Sequence, residues 1–468
     1  TWKLRDDVRW HDGEPFTADD VRFTYEYVTN EATTATTFAT YSSIKSVEVV
    51  DDHTVTLHFT DPNPAWFVPF VGSVGMILPE HVLRDAVGEA ARDHPFNLSP
   101  VGTGPYKVVD FRPGDVVVYE INSDYWEPGK PFFDRVEMKG GGDPTSAARA
   151  VLQTGEVDYA TNLQVEASVL TSLEQSGQGQ LVISPGAGAE AILVNFPDPN
   201  TETNGARSEL AVPHPFFTDL RVRQALALAV QRDLIVEQLY GPTGQVTANN
   251  INAPAKFKNP NLTWTYDLEQ ARALLDQAGA VDSDGDGLRE YSGVPLRIVF
   301  QTSANSIRQR TQEIVKADLE QIGFQVELKT IDSAVFFASD PGSPDTYPHF
   351  YTDIEMYTDG PVSPYPIDFA MRWHSSEVAQ QANNWAGNNI TRYRNPEMDA
   401  ALDAATIELD EERQVELFYQ INAIATNDVV EIPVVQRNGV SGAAEGLTGF
   451  LNSTWVSNVA TIADWRRA

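Results

Sequence analysis

Cysteine is absent from all 468 residues. That removes disulfides, thiolate metal ligands and a thiol nucleophile together. Long apolar runs are absent as well, none approaching the 18 or so residues of a membrane-spanning helix. Cations are scarce: 33 Lys and Arg stand against 66 Asp and Glu, a formal net charge of −33. No basic patch could dominate such a field, which argues against nucleic-acid binding and fits an exported or salt-tolerant protein. The motifs of familiar chemistry are missing too, with no GxSxG elbow, no P-loop and no HExxH. The eight histidines are scattered, without a pair at i, i+4. Gly102-Thr103-Gly104 lacks the Lys and helix of a phosphate loop, and Pro105 removes a donor, so this stretch reads as a hinge. There is no internal repeat and no low-complexity tract.

What is present is the composition of a packed globular protein, 42% hydrophobic and 10% aromatic. At about 100–200 residues per domain the length predicts two to four domains. The organising stretch is Asp219–Asn252. Asp219 is placed to cap a helix, and Val222, Leu226, Ala229, Val230, Leu234, Ile235 and Leu239 recur at near-helical spacing until Gly241-Pro242 stops it. Thr243–Asn252 then forms a short polar loop rich in Asn, suited to holding a ligand by hydrogen bonds.

Around it the elements are locally well signed. Thr1–Trp10 reads as a strand. Thr17 and Asp20 form a capping box, with Phe16 and Val21 as a hydrophobic staple. Hairpins are expected at Ile44–Val50 with Thr54–Phe59, and at Val108–Phe111 with Val116–Glu120. Leu268–Gln277, Leu296–Gln301, Ile307–Ile322 and Phe324–Ile331 alternate helix, strand, helix, strand. Two long helices are expected at Pro396–Glu408 and Glu411–Asn427. Asp282, Asp284 and Asp286 with Gly287 match the first half of a calcium loop, but the twelfth position, where a bidentate Glu belongs, is Gly293. The stretch therefore reads as an acidic turn, with calcium the alternative and no other cofactor expected.

Six blocks then fall in one order: TWKLRDDVRWHDGEPFTADDVRFTYEYV from Thr1, VGTGPYKVVDF from Val101, NSDYW from Asn122, TGEVDYA from Thr154, FTDLRVRQALALAVQRD from Phe217 and YRNPEMDAAL from Tyr393. Together they resemble the family 5 extracellular solute-binding proteins of ABC importers, the oligopeptide, dipeptide and nickel group. The resemblance implies a three-lobed, flytrap-like α/β fold of the periplasmic-binding-protein type. Residues 1–100 would form a small extra lobe. Residues 101–212 and 436–468 would form a discontinuous lobe one, and 213–435 the second cleft lobe. Hinges would lie at Gly102–Pro105, Pro197–His214 and near Val435. Such relatives have several dozen residues before the block at Thr1, so part of lobe one and any signal segment are expected to be missing from this chain.

The implied function is capture of a solute, an oligopeptide above all, and delivery to a membrane permease. The protein would be a non-enzymatic monomer outside the cytoplasm, periplasmic or lipid-anchored. In peptide-binding relatives an Asp after a Trp-containing turn pairs with the peptide's amino group. The matching position is Asp359, with Tyr357 where the Trp would stand. Asn195, Asn249, Asn250 and Asn389 fall near cleft positions of the family, and Gln436 at the return crossing. An oligosaccharide ligand is the alternative, using Trp66, Tyr357, Trp373 and Trp385 as aromatic platforms. A peptide or glycan hydrolase is the more remote one, since no carboxylate pair is singled out by spacing.

Overall fold

The computed structural model describes every residue except Gly141, Ser339 and Asn452, and of Asn458 only the backbone. These residues pack into two compact units. One comprises Thr1–Tyr159, Gln178–Gln180 and Ala443–Ala468, the other Ala160–Gly177 and Leu181–Gly442. Among the described residues, no helix is long and apolar enough to cross a membrane.

The first unit is built from local signals that the chain obeys. The helix Ala18–Thr29 opens with its capping box, the Thr17 amide donating to Asp20 Oδ2 at 2.9 Å. Asp20 is buried because it is fully used: Trp10 Nε1 and the Glu80 amide also donate to it, at 3.1 and 3.0 Å. The helix lays Ala18, Val21 and Val28 against Ile44 and Val55 of the hairpin Ile44–Asp51 and Thr54–Phe59. A second antiparallel sheet joins Tyr106–Arg112, Val116–Ile121 and Arg135–Lys139. The strand expected over Thr1–Trp10 shrinks to Trp2–Lys3, since only these two pair with Val55 and Thr54.

The second unit is organised by a six-stranded mixed sheet. Its strands are β1 (Ala189–Val194), β2 (Gly244–Val246), β3 (Arg297–Ser303), β4 (Gln325–Ile331), β5 (Ile354–Asp359) and β6 (Glu431–Arg437), in the order β2-β6-β1-β5-β3-β4. Pairing is parallel for β4, β3 and β5 and antiparallel across β5, β1, β6 and β2. The expected helix–strand alternation is realised, with Ser306–Gln321 crossing between the parallel neighbours β3 and β4. All six residues of β1 are buried. Ile192 and Val194 point into the large core with Ile298, Phe300, Met356 and Ile432, while Ala191 and Leu193 join Phe336, Phe350 and Tyr357 on the opposite face. This position explains why residues 181–212, expected in lobe one, pack within the second unit.

Three further expectations are redrawn. The helix after Asp219 is not continuous. It runs Leu220–Leu228, breaks at Ala229–Gln231, and resumes as Arg232–Ile235 and a wider turn over Val236–Tyr240 before Gly241. The cap itself holds, with the Arg221 amide on Asp219 Oδ1 at 2.8 Å. The stretch Gly102–Pro105 lies within the first unit, pinned by His11, whose Nδ1 accepts from the Gly102 amide at 3.1 Å. Val435 lies inside β6, and the chain passes between units instead at 159/160, 177/178, 180/181 and 442/443. The two long C-terminal helices form as expected, Pro396–Ile407 and Glu411–Asn427.

Candidate functional site

Register builds the site. On one face of the sheet, Glu355, Tyr357 and Asp359 of β5 stand opposite Leu193, Ala191 and Ala189 of β1. On the other side of β1, Glu431 and Gln436 of β6 stand opposite Leu193 and Ala189. Residues directly opposite in antiparallel strands share a face, so acidic and polar side chains flank a central strand that offers two alanines. The missing side-chain volume at Ala189 and Ala191 leaves a small hollow of about 10 Å³, lined also by Asn250, Phe369, Arg372 and Glu431.

Arg372 ties this hollow together. It lies in the single turn Met371–Trp373, and its guanidinium is shared three ways: Nη1 to Asp359 Oδ2 at 2.8 Å, Nη2 to the Tyr357 hydroxyl at 2.7 Å, and Nε facing Glu431 Oε1 at 3.1 Å. Burial alone would weaken the Arg372 cation, but Glu431, Tyr357 and Asp359 outweigh it and raise its pKa. Burial likewise pushes Tyr357 well above its usual range and raises Glu431, against the pull of Arg372. Glu431 Oε1 also accepts from Trp373 Nε1 at 3.1 Å.

Asn250 reaches the hollow from the Asn-rich loop. The loop is fixed through its backbone, because Asn422 Oδ1 accepts from the amides of Asn250 and Ile251 at 3.2 and 2.9 Å. The side chain of Asn250 is not used in this way. The residue is 1% exposed, and neither Oδ1 nor Nδ2 has a partner. A buried amide left in that state costs about 1–3 kcal/mol per unsatisfied group.

The other sequence candidates separate cleanly. Asp359 lies at the hollow, yet it is not a dry, lone carboxylate: its side chain is 51% exposed and already paired with Arg372. Tyr357 lines the hollow with its ring packed on Phe336 and Tyr347. Asn249 clamps the loop, exchanging bonds with the Asn259 backbone at 3.0 and 2.8 Å. Asn195 donates to Ser208 and to the Phe350 and Thr352 carbonyls, and Asn389 to the His374 and Tyr393 carbonyls. Gln436 bridges the Gly186 carbonyl and Lys258. Trp373 is fully buried, and Trp385 stacks on His349 at 4.0 Å between ring centroids. Trp66 belongs to the first unit, half exposed beside Trp2.

Asp282, Asp284 and Asp286 bring ligand atoms within 4.8 Å of one another, all exposed. Each is engaged by the loop's own backbone: Asp282 accepts from the Gly285 and Gly287 amides, Asp284 from Asp286, and Asp286 from Leu288.

Arg372, Glu355 and Glu431 were missed by sequence reasoning. The alternation Glu355-x-Tyr357-x-Asp359 on one strand was the available signal for the face. Nothing local announced Arg372, whose partners are 13 to 59 residues distant in the chain.

The model of the bacterial extracellular solute-binding proteins, family 5 (middle region), matches residues 1–383. The oligopeptide-binding protein AppA of Bacillus subtilis (strain 168) is 26% identical over 456 residues, 96% of this chain and 77% of that one. Its structure in complex with a nonapeptide has a TM-score of 0.82 at 25% identity, covering 100% of this chain and 86% of the other. NikZ from Campylobacter jejuni, in complex with Ni(L-His), also has a TM-score of 0.82 at 25% identity, with 99% and 87% covered.

Proposed function

Since the chain belongs to the bacterial extracellular solute-binding proteins, family 5, we propose that it captures an oligopeptide at the Ala189–Ala191 hollow and hands it to the permease of an ABC importer. Membership of an extracellular solute-binding family supports a location outside the cytoplasm and a role in transport. In this reading it acts as a monomer, without turnover of its ligand and without a resident metal. Anchoring is by lipid or by confinement to a periplasm.

The single observation that carries the peptide reading is the Asn250 side chain. Its Oδ1 and Nδ2 ask for a donor and an acceptor close together, and a peptide unit offers both. The Asp359 carboxylate beside it is paired yet half exposed, so an incoming ammonium group can share it with Arg372. Two of the carbohydrate alternative's platforms are closed off: Trp373 is fully buried, and Tyr357 is buried with its hydroxyl held by Arg372.

The test is isothermal titration with a defined set of tri- to nonapeptides on the wild type and on Asn250→Ala, beside mass spectrometry of co-purifying small molecules. The expected result is saturable peptide binding weakened about tenfold by the substitution, an ordinary hydrogen-bond loss of about 1.5 kcal/mol, with no fall in the melting temperature of the free protein, since the change removes two unsatisfied buried groups. Peptide products accumulating in proportion to the protein, or binding indifferent to Asn250→Ala, would overturn the reading.

A further inference from the structure

A second opening in the same unit is not used by the proposed site. It is an open groove of about 340 Å³, with walls formed by the end of the helix Leu220–Leu228, the segment Thr263–Thr265, the helix Leu268–Ala278 and the start of β6. Leu228, Leu274 and Ile432 supply apolar wall, Trp264 an aromatic one, and Gln224 a polar one.

Arg232 reaches this groove and stands out chemically. It is 5% exposed, and among the described residues its guanidinium donates to main-chain carbonyls: Nε to Pro433 at 2.7 Å, and Nη1 to Ala227 and Val230 at 3.4 Å each. No carboxylate forms an ion pair with it among the described residues, in contrast to Arg372 and Arg308. Burial accordingly pulls its pKa down to about 10, with only Asp233 opposing. A buried guanidinium with neutral acceptors alone keeps most of its desolvation cost. Glu431 also borders the groove, but its Oε1 is taken by Arg372 and Trp373.

The geometry points to a second binding site in this groove for a small monoanion with an apolar body, its carboxylate drawn to the Arg232 guanidinium and its hydrocarbon laid along Leu228, Leu274 and Trp264. The site shares only Glu431 with the peptide hollow and takes its cation from a different residue, so either can fail while the other stands. A chain of net charge −33 repels anions at long range. Only a short-range, buried cation can therefore recruit one, and salt that screens the long-range field should not abolish binding.

The experiment titrates the full chain with 4-phenylbutyrate and with its neutral amide, 4-phenylbutyramide, in screening salt. The carboxylate should bind saturably at one site and at least tenfold more tightly than the amide. Arg232→Met should erase that preference. Because this buried change can cost folding, Thr265→Trp and Gln270→Trp, at exposed positions on the groove wall, serve as blockers. They should weaken the carboxylate at least tenfold while melting temperature and peptide affinity stay put. Equal binding of acid and amide, no saturable binding of the acid, or acid binding unmoved by both blockers would overturn the proposal. Loss of peptide binding in Asn250→Ala leaves this titration unchanged, which keeps the two sites distinguishable.

Discussion

Glu190 and Glu355 occupy neighbouring strands of one sheet, on opposite faces, and neither is exposed to solvent. Their surroundings differ. Glu190 faces the Arg308 guanidinium at 2.7 Å, accepts from Gln164 and from the Thr358 hydroxyl, and has Arg437 nearby. Burial would raise its pKa, but the two guanidiniums outweigh burial and hold the carboxyl below its usual range. Glu355 accepts one bond, from Gln301 at 2.7 Å, and its Oε1 has no partner. Burial pushes its carboxyl up to about 8, against Gln301, Arg392 and Arg372. The same side chain on the same sheet is thus held as an anion on one face and pushed toward its neutral form on the other. The fully paired face is scaffold. The face left partly unpaired is the one that carries the hollow.

Removing one partner from the paired face should have the largest effect. Arg308→Met leaves the Glu190 anion buried and should cost about 3–5 kcal/mol of stability, the range for breaking a buried pair. Urea unfolding at pH 7 measures it. Glu355→Gln, which mimics the protonated acid but cannot ionise in the unfolded chain, should instead stabilise the fold at pH 7, by roughly 2–3 kcal/mol. Comparable losses from both would erase the contrast.

The next effect separates the two glutamates by pH. For Glu355 the folded pKa of about 8 lies above the unfolded value near 4.5. Its contribution is therefore fully present below about pH 4.5 and is lost as pH rises through 8, because ionisation then opposes the fold. Between pH 6 and 9 that amounts to about 2–3 kcal/mol. Wild type should lose that stability on alkalinisation, and Glu355→Gln should show a flatter profile. Glu190 runs the other way: its folded pKa is depressed, so its contribution holds above the unfolded pKa and falls away on acidification. Identical alkaline profiles for wild type and Glu355→Gln would remove Glu355 as the source.

Local physics was legible in the sequence to the extent that it was local. The capping box at Thr17 and Asp20, the Asp219 cap and the β3–helix–β4 alternation each depend on residues a few positions apart, and each formed. The break at Ala229–Gln231 was not legible. An apolar period continues across it, while the turn is fixed by Arg232 reaching Pro433, 201 residues away. The site divides in the same way. The Asn-rich loop was visible as a candidate, but which amide is structural and which is unpartnered depended on Asn259 and Asn422, supplied from elsewhere. Arg372 was invisible because a charged residue in a polar loop looks like any other until Asp359, Tyr357 and Glu431 converge on it.

The smallest expected effect concerns acids that are neither buried nor short of partners. Asp282, Asp284 and Asp286 cluster as closely as a metal site requires, and with 66 acidic residues in the chain a calcium response would be easy to misassign. Their oxygens already serve the loop's own amides, at 2.7 and 2.9 Å on Asp282 and 2.8 Å on Asp286. Glu290, the acid next in line, accepts from Ser283 rather than turning to the cluster, and Gly293 brings no carboxylate at all. A cation would have to displace those bonds or add to them without a bidentate ligand, so it should bind no tighter than about millimolar, the weak end of such loops. Calorimetric titration with calcium in screening salt should therefore show no saturable site, and Asp284→Ala should leave both the titration and the melting temperature within error of wild type. A micromolar site lost in Asp284→Ala would make this exposed turn a functional cation loop and break its contrast with the buried glutamates.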